Sequence, residues 1–142
     1  MNILVIHGPN LNMLGKRNPE IYGKMTLDEL YDQISSEFPD VEFTFYQSNY
    51  EGEIIEVIQN SMEEPYDALM INPGAFTHTS IAIRDALDII RIPKVEVHLS
   101  DIEHREPFRK IDYMTDVVDK RFMGKKLDSY IEAIAYLLNL GE

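Results

Sequence analysis

The chain has 142 residues, 13 Lys and Arg against 25 Asp and Glu, a formal net charge of −12 and no cysteine. This length suits one domain over 1–142 whose core needs no cross-links, and the missing thiols exclude disulfides, thiolate metal sites and cysteine nucleophiles. The acidic balance disfavours nucleic-acid partners, since binding a phosphate backbone needs a basic surface, and it requires any anionic ligand to be met by cations gathered locally.

The elements follow in order. Asn2 to Ile6, NILVI, is a continuous apolar run of the kind found in parallel strands covered on both faces. It begins MNILVIHG, with no cationic leader, and no later run approaches membrane-spanning length, so a soluble cytoplasmic protein with no membrane contact is expected. His7 to Gly23 is a long connection rich in Pro, Gly and Asn; such loops are uncommon unless they bind or cover something. Thr26-Leu27-Asp28-Glu29 matches a capping box, and Leu27, Leu30, Tyr31, Ile34 and Phe38 fall at helical spacing up to Pro39. Val41 to Gln47 reads as a second strand, and Ile54, Ile55, Ile58 and Met62 return to helical period within 51–62.

A third strand over 68–71 runs into Asn72-Pro73-Gly74, and Thr77, Thr79 and Ser80 supply N-caps for a helix carrying Ile81, Ala82, Leu87 and Ile90. Lys94 to Leu99 is a fourth strand, 100–112 is polar and irregular, a weak fifth strand is predicted around Val117-Val118, and 127–140 is a closing helix with Gly141 as its C-cap. Repeated strand–helix units imply a parallel sheet with right-handed crossovers. The fold class is α/β, a flavodoxin-like three-layer sandwich with a five-stranded parallel sheet of order 2-1-3-4-5. In that order the crevice outside the carboxyl ends of strands 1, 3 and 4 is the expected ligand site.

The three loops carry Asn10, Asn12, Arg17 and Tyr22, then Asn72 and His78, then Glu96, His98 and Ser100, with Arg105 and Arg109 placed to reach back. A phospho-receiver would need aspartates at the ends of strands 1 and 3, and a flavin phosphate site a Ser/Thr-rich first loop. The chain offers His7-Gly8, Asn72 and GPNLNMLG instead, with no dinucleotide or P-loop fingerprint. No histidines pair at helical ligand spacing, so a metal is disfavoured. Glu96 and His98 lie two apart on a strand and emerge on one face, where the carboxylate would keep His98 an imidazolium able to act as an acid; the plain alternative is a buried ion pair. Tyr22 alone reads as a packing residue, although a guanidinium within hydrogen-bond distance favours a phenolate that accepts protons. Asn72-Pro73-Gly74 ahead of a capped helix forms an anion cradle, or simply a well-capped connection.

Three blocks, GPNLNMLGKRNPEIYG at 8–23, NPGAFTHTSIAIRDAL at 72–87 and VEVHLSDIEHREPFR at 95–109, together with QSNYEGEII at 47–55, resemble the signature of the type II 3-dehydroquinate dehydratases over nearly the whole chain. The resemblance implies a lyase that carries out the reversible anti-dehydration of 3-dehydroquinate to 3-dehydroshikimate through an enolate, with no metal or organic cofactor. The setting would be the shikimate pathway of aromatic amino acid biosynthesis or, alternatively, quinate catabolism. It implies Tyr22 as the base activated by Arg17, Asn10 as holder of a water at the enolate oxygen, and His98, supported by Glu96, as the acid. Asn72, His78, Arg109 and the backbone around Leu99 and Ser100 would position substrate, with Asp85 nearby or supplied by a neighbouring subunit of a homo-dodecamer built from four trimers. Gly15 and Gly23 bound a lid over 15–23 that would bring Arg17 in on closing, so that an open form need show no Arg17–Tyr22 contact. The charged segment VVDKRFMGKKLDSYIEAI departs from the family's glycine-rich stretch and bears on strand 5 and on subunit contacts. A non-catalytic module that binds a small carboxylate is the competing reading.

Overall fold

The computed structural model describes residues 1–140. Five strands, β1 (Asn2–His7), β2 (Glu42–Gln47), β3 (Ala68–Asn72), β4 (Lys94–Val97) and β5 (Lys120–Phe122), form one sheet of order 2-1-3-4-5. Every neighbouring pair is parallel. The helices are α1 (Pro19–Tyr22), α2 (Leu27–Glu37), α3 (Glu51–Asn60), α4 (Ile81–Ile89) and α5 (Leu127–Leu140). The alternation of side chains along each strand divides the core in two. Ile3, Val5, Met70 and Val95 face α2 and α5, and Leu4, Ile6, Leu69 and Ile71 face α3 and α4. The expected flavodoxin-like three-layer sandwich is therefore the architecture found.

Local signals act where expected. The Thr26 hydroxyl accepts from the Glu29 amide while Glu29 reaches back to the Thr26 amide, closing the capping box of α2. At α4 the cap is Ser80, whose Oγ accepts from the Ile83 amide at 2.9 Å. Gly141, expected to cap α5, lies outside the described residues.

Strand 5 differs from expectation. Val117 and Val118 fall in a turn, with the Val117 amide donating to the Met114 carbonyl, and the strand is the charged tripeptide Lys120-Arg121-Phe122. It sits at the sheet edge, where alternate exposure tolerates charge, and its register pairs Arg121 with Glu96 of β4. The apolar valine pair instead serves the α3/α4 side of the core.

The site is positioned by a tight crossing of the two central loops. The Gly8 amide donates to the Asn72 carbonyl at 2.8 Å, and a Cβ at Gly8 would lie 2.2 Å from the Pro73 oxygen. Only glycine permits this approach, which sets the loop carrying Asn10 against the one carrying Asn72.

Candidate active site

A cleft opens at the carboxyl ends of β1, β3 and β4. Asn10, Arg17, Tyr22, Asn72, His78, His98, Leu99, Ser100, Arg105 and Arg109 line it. The crevice anticipated from topology is thus formed, and ten of its lining residues were either named as site residues or, in the case of Arg105, noted as within reach. Two were misplaced. Asn12 lines a separate cleft beside Thr26 and Asp28, and Asp85 is exposed on the outside of α4, 3.7 Å from Arg84 and away from its own chain's cleft. Glu96 lies behind His98, fully buried, rather than on the cleft wall.

The lid segment is ordered by its own chemistry. Asn18 caps α1 by accepting from the Glu20 amide, Pro19 occupies the first turn, and Tyr22 stands at the helix end. The glycines bounding it, Gly15 and Gly23, have φ of 91° and 85°. Arg17 Nη2 donates to the Tyr22 hydroxyl at 2.6 Å and its guanidinium lies 3.7 Å from the ring centroid; Arg105 stands 5.1 Å from the same ring. The contact expected of a closed lid is present. Burial lowers Arg17 from the ordinary arginine value, Tyr22 opposes this, and the guanidiniums of Arg105 and Arg109 add to it. Three arginines therefore crowd one wall of a chain with net charge −12, and no Asp or Glu lines that cleft. An anionic ligand relieves this repulsion.

His98 also lines the cleft, and behind it Glu96 Oε2 lies 2.5 Å from His98 Nε2 with both residues buried. Their proximity was expected to hold His98 as an imidazolium. Burial reverses this: it pushes His98 down to about 3 and, with Asp112 beside it, Glu96 up to about 10. The proton shared by the pair therefore rests on the Glu96 carboxyl, and His98 is neutral with Nε2 accepting. Its Nδ1 then carries the ring proton. His78 donates from Nδ1 to the Ile111 carbonyl at 2.7 Å, which fixes its ring and leaves Nε2 available. Asn10 stands in the left-handed region at φ 68° with its amide held by Asn49 Oδ1, leaving its side chain to the cleft. Ser100 Oγ accepts from Arg105 Nη1 at 3.2 Å.

Asn72 is held by Gly74 of its own loop and by Tyr130, a residue that the chain's local pattern did not single out. Its Nδ2 donates to the buried Tyr130 hydroxyl at 2.9 Å and its Oδ1 accepts from the Gly74 amide. Since Tyr130 accepts there, it donates to His7 Nε2, 2.8 Å away, and His7 Nδ1 donates to Tyr31 at 3.3 Å. Every member is satisfied, so the amide orientation is fixed. Tyr130→Phe is expected to cost about 1–3 kcal/mol by stranding two buried polar groups, and to raise KM about tenfold, about 1.4 kcal/mol of substrate binding, with a smaller effect on kcat. Denaturant unfolding and steady-state kinetics measure both.

Burial lowers His7 to about 3. Its folded value lies below the unfolded one, so its contribution is complete above the ordinary histidine range and is lost as pH falls toward the folded value. Between pH 6.5 and 5 this amounts to about 2 kcal/mol of lost stability, and chemical denaturation at the two pH values checks it.

Glu96, His98 and Asp112 each bring one ligand atom within 4.8 Å of the others, the one such grouping among the described residues. Arg121, 3.1 Å from Asp112, already supplies the positive charge a cation would bring there.

Fold and site together define a flavodoxin-like α/β protein whose cleft gathers three arginines, two histidines and a tyrosine at the carboxyl ends of the central strands. The chain belongs to the dehydroquinase class II family, whose model matches residues 1–138. It is 45% identical to a 3-dehydroquinate dehydratase of Polynucleobacter asymbioticus, over 98% of this chain and 91% of that one. It is 46% identical to one of Helicobacter pylori, over 99% and 86%. The crystal structure of a type II dehydroquinase from Butyrivibrio crossotus superposes with a TM-score of 0.93 at 45% identity, covering 96% of this chain and 97% of that one.

Proposed function

We propose that this chain dehydrates 3-dehydroquinate to 3-dehydroshikimate by anti elimination through an enolate, and that the catalytic unit is the single domain described. The observation that carries the reading is the Arg17–Tyr22 contact facing the Glu96–His98 pair across one cleft of a class II dehydroquinase.

Tyr22, as a phenolate stabilised by Arg17, takes the proton α to the ketone. The carbon–hydrogen electron pair moves to the carbonyl oxygen, where a water held by Asn10 hydrogen-bonds the developing charge. The enolate then re-forms the ketone, the new carbon–carbon double bond forms, and the β carbon–oxygen bond breaks. His98 Nδ1 gives its proton to the departing hydroxyl, which leaves as water, and the proton on Glu96 moves to Nε2. The pair, rather than His98 alone, is the acid. Arg109, Asn72, His78 and the Leu99–Ser100 backbone hold the carboxylate and hydroxyls of the substrate.

Because Asp85 points away from its own cleft, its role is one for a second copy of the chain. The assembly that fits is a homo-dodecamer built from four trimers and acting in the cytoplasm. No helix among the described residues is long and apolar enough to cross a membrane.

Purified protein mixed with 3-dehydroquinate and a chelator should generate the enone absorbance of 3-dehydroshikimate. Binding of substrate with no growth of that band would mark the chain as a carboxylate-binding module instead.

A further inference from the structure

Glu96 is fully buried, and while its Oε2 engages His98, its Oε1 meets no N–H or O–H donor, and the carboxyl instead shares a hydrogen bond with the neighbouring carboxylate of Asp112. A buried carboxyl oxygen without a donor at the heart of a site is costly unless its surroundings use it. The groups facing the pair are His78, Asp112 and Arg121. The Asp112 side chain is 3% exposed and pinned on all sides. Its Oδ1 accepts from the amides of Met114 and Thr115 at 2.8 and 3.2 Å, and its Oδ2 accepts from Arg121 Nη1 at 3.1 Å. Arg121, on β5, is anchored in turn by Glu103 at 2.6 Å. Burial pushes Asp112 up, but a hydrogen bond from the Glu96 carboxyl, followed by those from Met114 and Arg121, outweighs it and holds Asp112 ionised, below the usual carboxylate range. A fixed negative charge thus lies beside the carboxyl that shares a proton with His98.

We propose that Asp112, fixed by Arg121 of the charged fifth strand, is a positioning residue that keeps the transferable proton of the acid pair on Glu96. Two neighbouring carboxylates cannot both ionise cheaply, so the charge on Asp112 loads Glu96 with the proton that His98 will pass on. Arg121 limits this effect, keeping the ionised Glu96 left after proton delivery within reach. Neither residue touches the cleft. This explains why a charged β5 is compatible with the site: its central side chain is the counterweight of the acid.

The inference rests on the proposed dehydration for its catalytic meaning, but the proton's location is measured independently of turnover. The test follows Glu96 by carboxyl-labelled NMR, assigned with Glu96→Gln, alongside the alkaline limb of kcat/KM. Asp112→Asn keeps an acceptor for the two amides and removes the charge. It should move both readouts down by about one pH unit or more. Arg121→Gln should move both up by a similar amount. Opposite shifts support the proposal; unmoved titrations, or shifts in one common direction, overturn it. If Asp112→Asn does not fold, Arg121→Gln decides alone, an upward shift supporting and an unmoved or lowered one overturning. Opposed NMR shifts in a protein that does not turn over 3-dehydroquinate would uphold the proton's placement and refute the proposed dehydration.

Discussion

Replacing Tyr22 by Phe is expected to lower kcat by about 10³-fold or more, about 4 kcal/mol of transition-state stabilisation, with KM little changed. The substitution removes one oxygen. The ring still packs beneath Arg17 and near Arg105, and the half-buried guanidinium of Arg17 loses one hydrogen bond at 2.6 Å, worth about 1 kcal/mol of stability. A stable fold that binds substrate and does not turn it over is therefore the expected phenotype. In deuterated water the variant should also fail to exchange the α proton of the substrate, because the phenol oxygen that would accept it is gone. Activity near wild type would remove Tyr22 from the chemistry and return it to the packing role that its isolated sequence context suggested.

His98→Ala is expected to lower turnover by about 10²–10⁴-fold but to fail at a different step. The base remains, so solvent deuterium should enter the α position of bound substrate while product formation stops. Removing the imidazole also leaves Glu96, buried and 2.5 Å from the lost nitrogen, without a partner, which costs about 1–3 kcal/mol. Steady-state kinetics with proton NMR of recovered substrate separates the two variants. Wild-type turnover, or equal loss of exchange and elimination in a folded protein, would contradict the division between base and acid.

Much of this was legible because it is local. The runs NILVI and ALMI alternate between two helical layers, so strand identity followed from composition. The switch point followed from topology, and with it the convergence of Arg17, Tyr22, Asn72 and His98. The parts that escaped depend on pairings that local pattern does not encode. Tyr130 meets His7 across 123 residues, and its hydroxyl is invisible in an amphipathic helix pattern that explains the residue as core. Asp112 and Arg121 lie nine apart, with meaning only through the turn that brings β5 beside β4. The Val117-Val118 pair carried a β signal that tertiary context overrode, because a turn needed its apolar side chains in the core more than the sheet edge did. The state of His98 was misjudged for a related reason. Spacing reveals that a carboxylate is adjacent, but burial decides where the proton sits, and burial is a property of the assembled fold. Asp85 stands apart: its position within the family-like block 72–87 marked it, yet α4 turns it outward, away from its own chain's cleft.

The central claim is anti elimination with a base and an acid drawn from different loops. Substrate carrying deuterium at the α position anti to the departing hydroxyl tests it most directly. 3-Dehydroshikimate that has lost the label, released without added metal or cofactor, is the expected product; product that keeps the deuterium would contradict anti elimination.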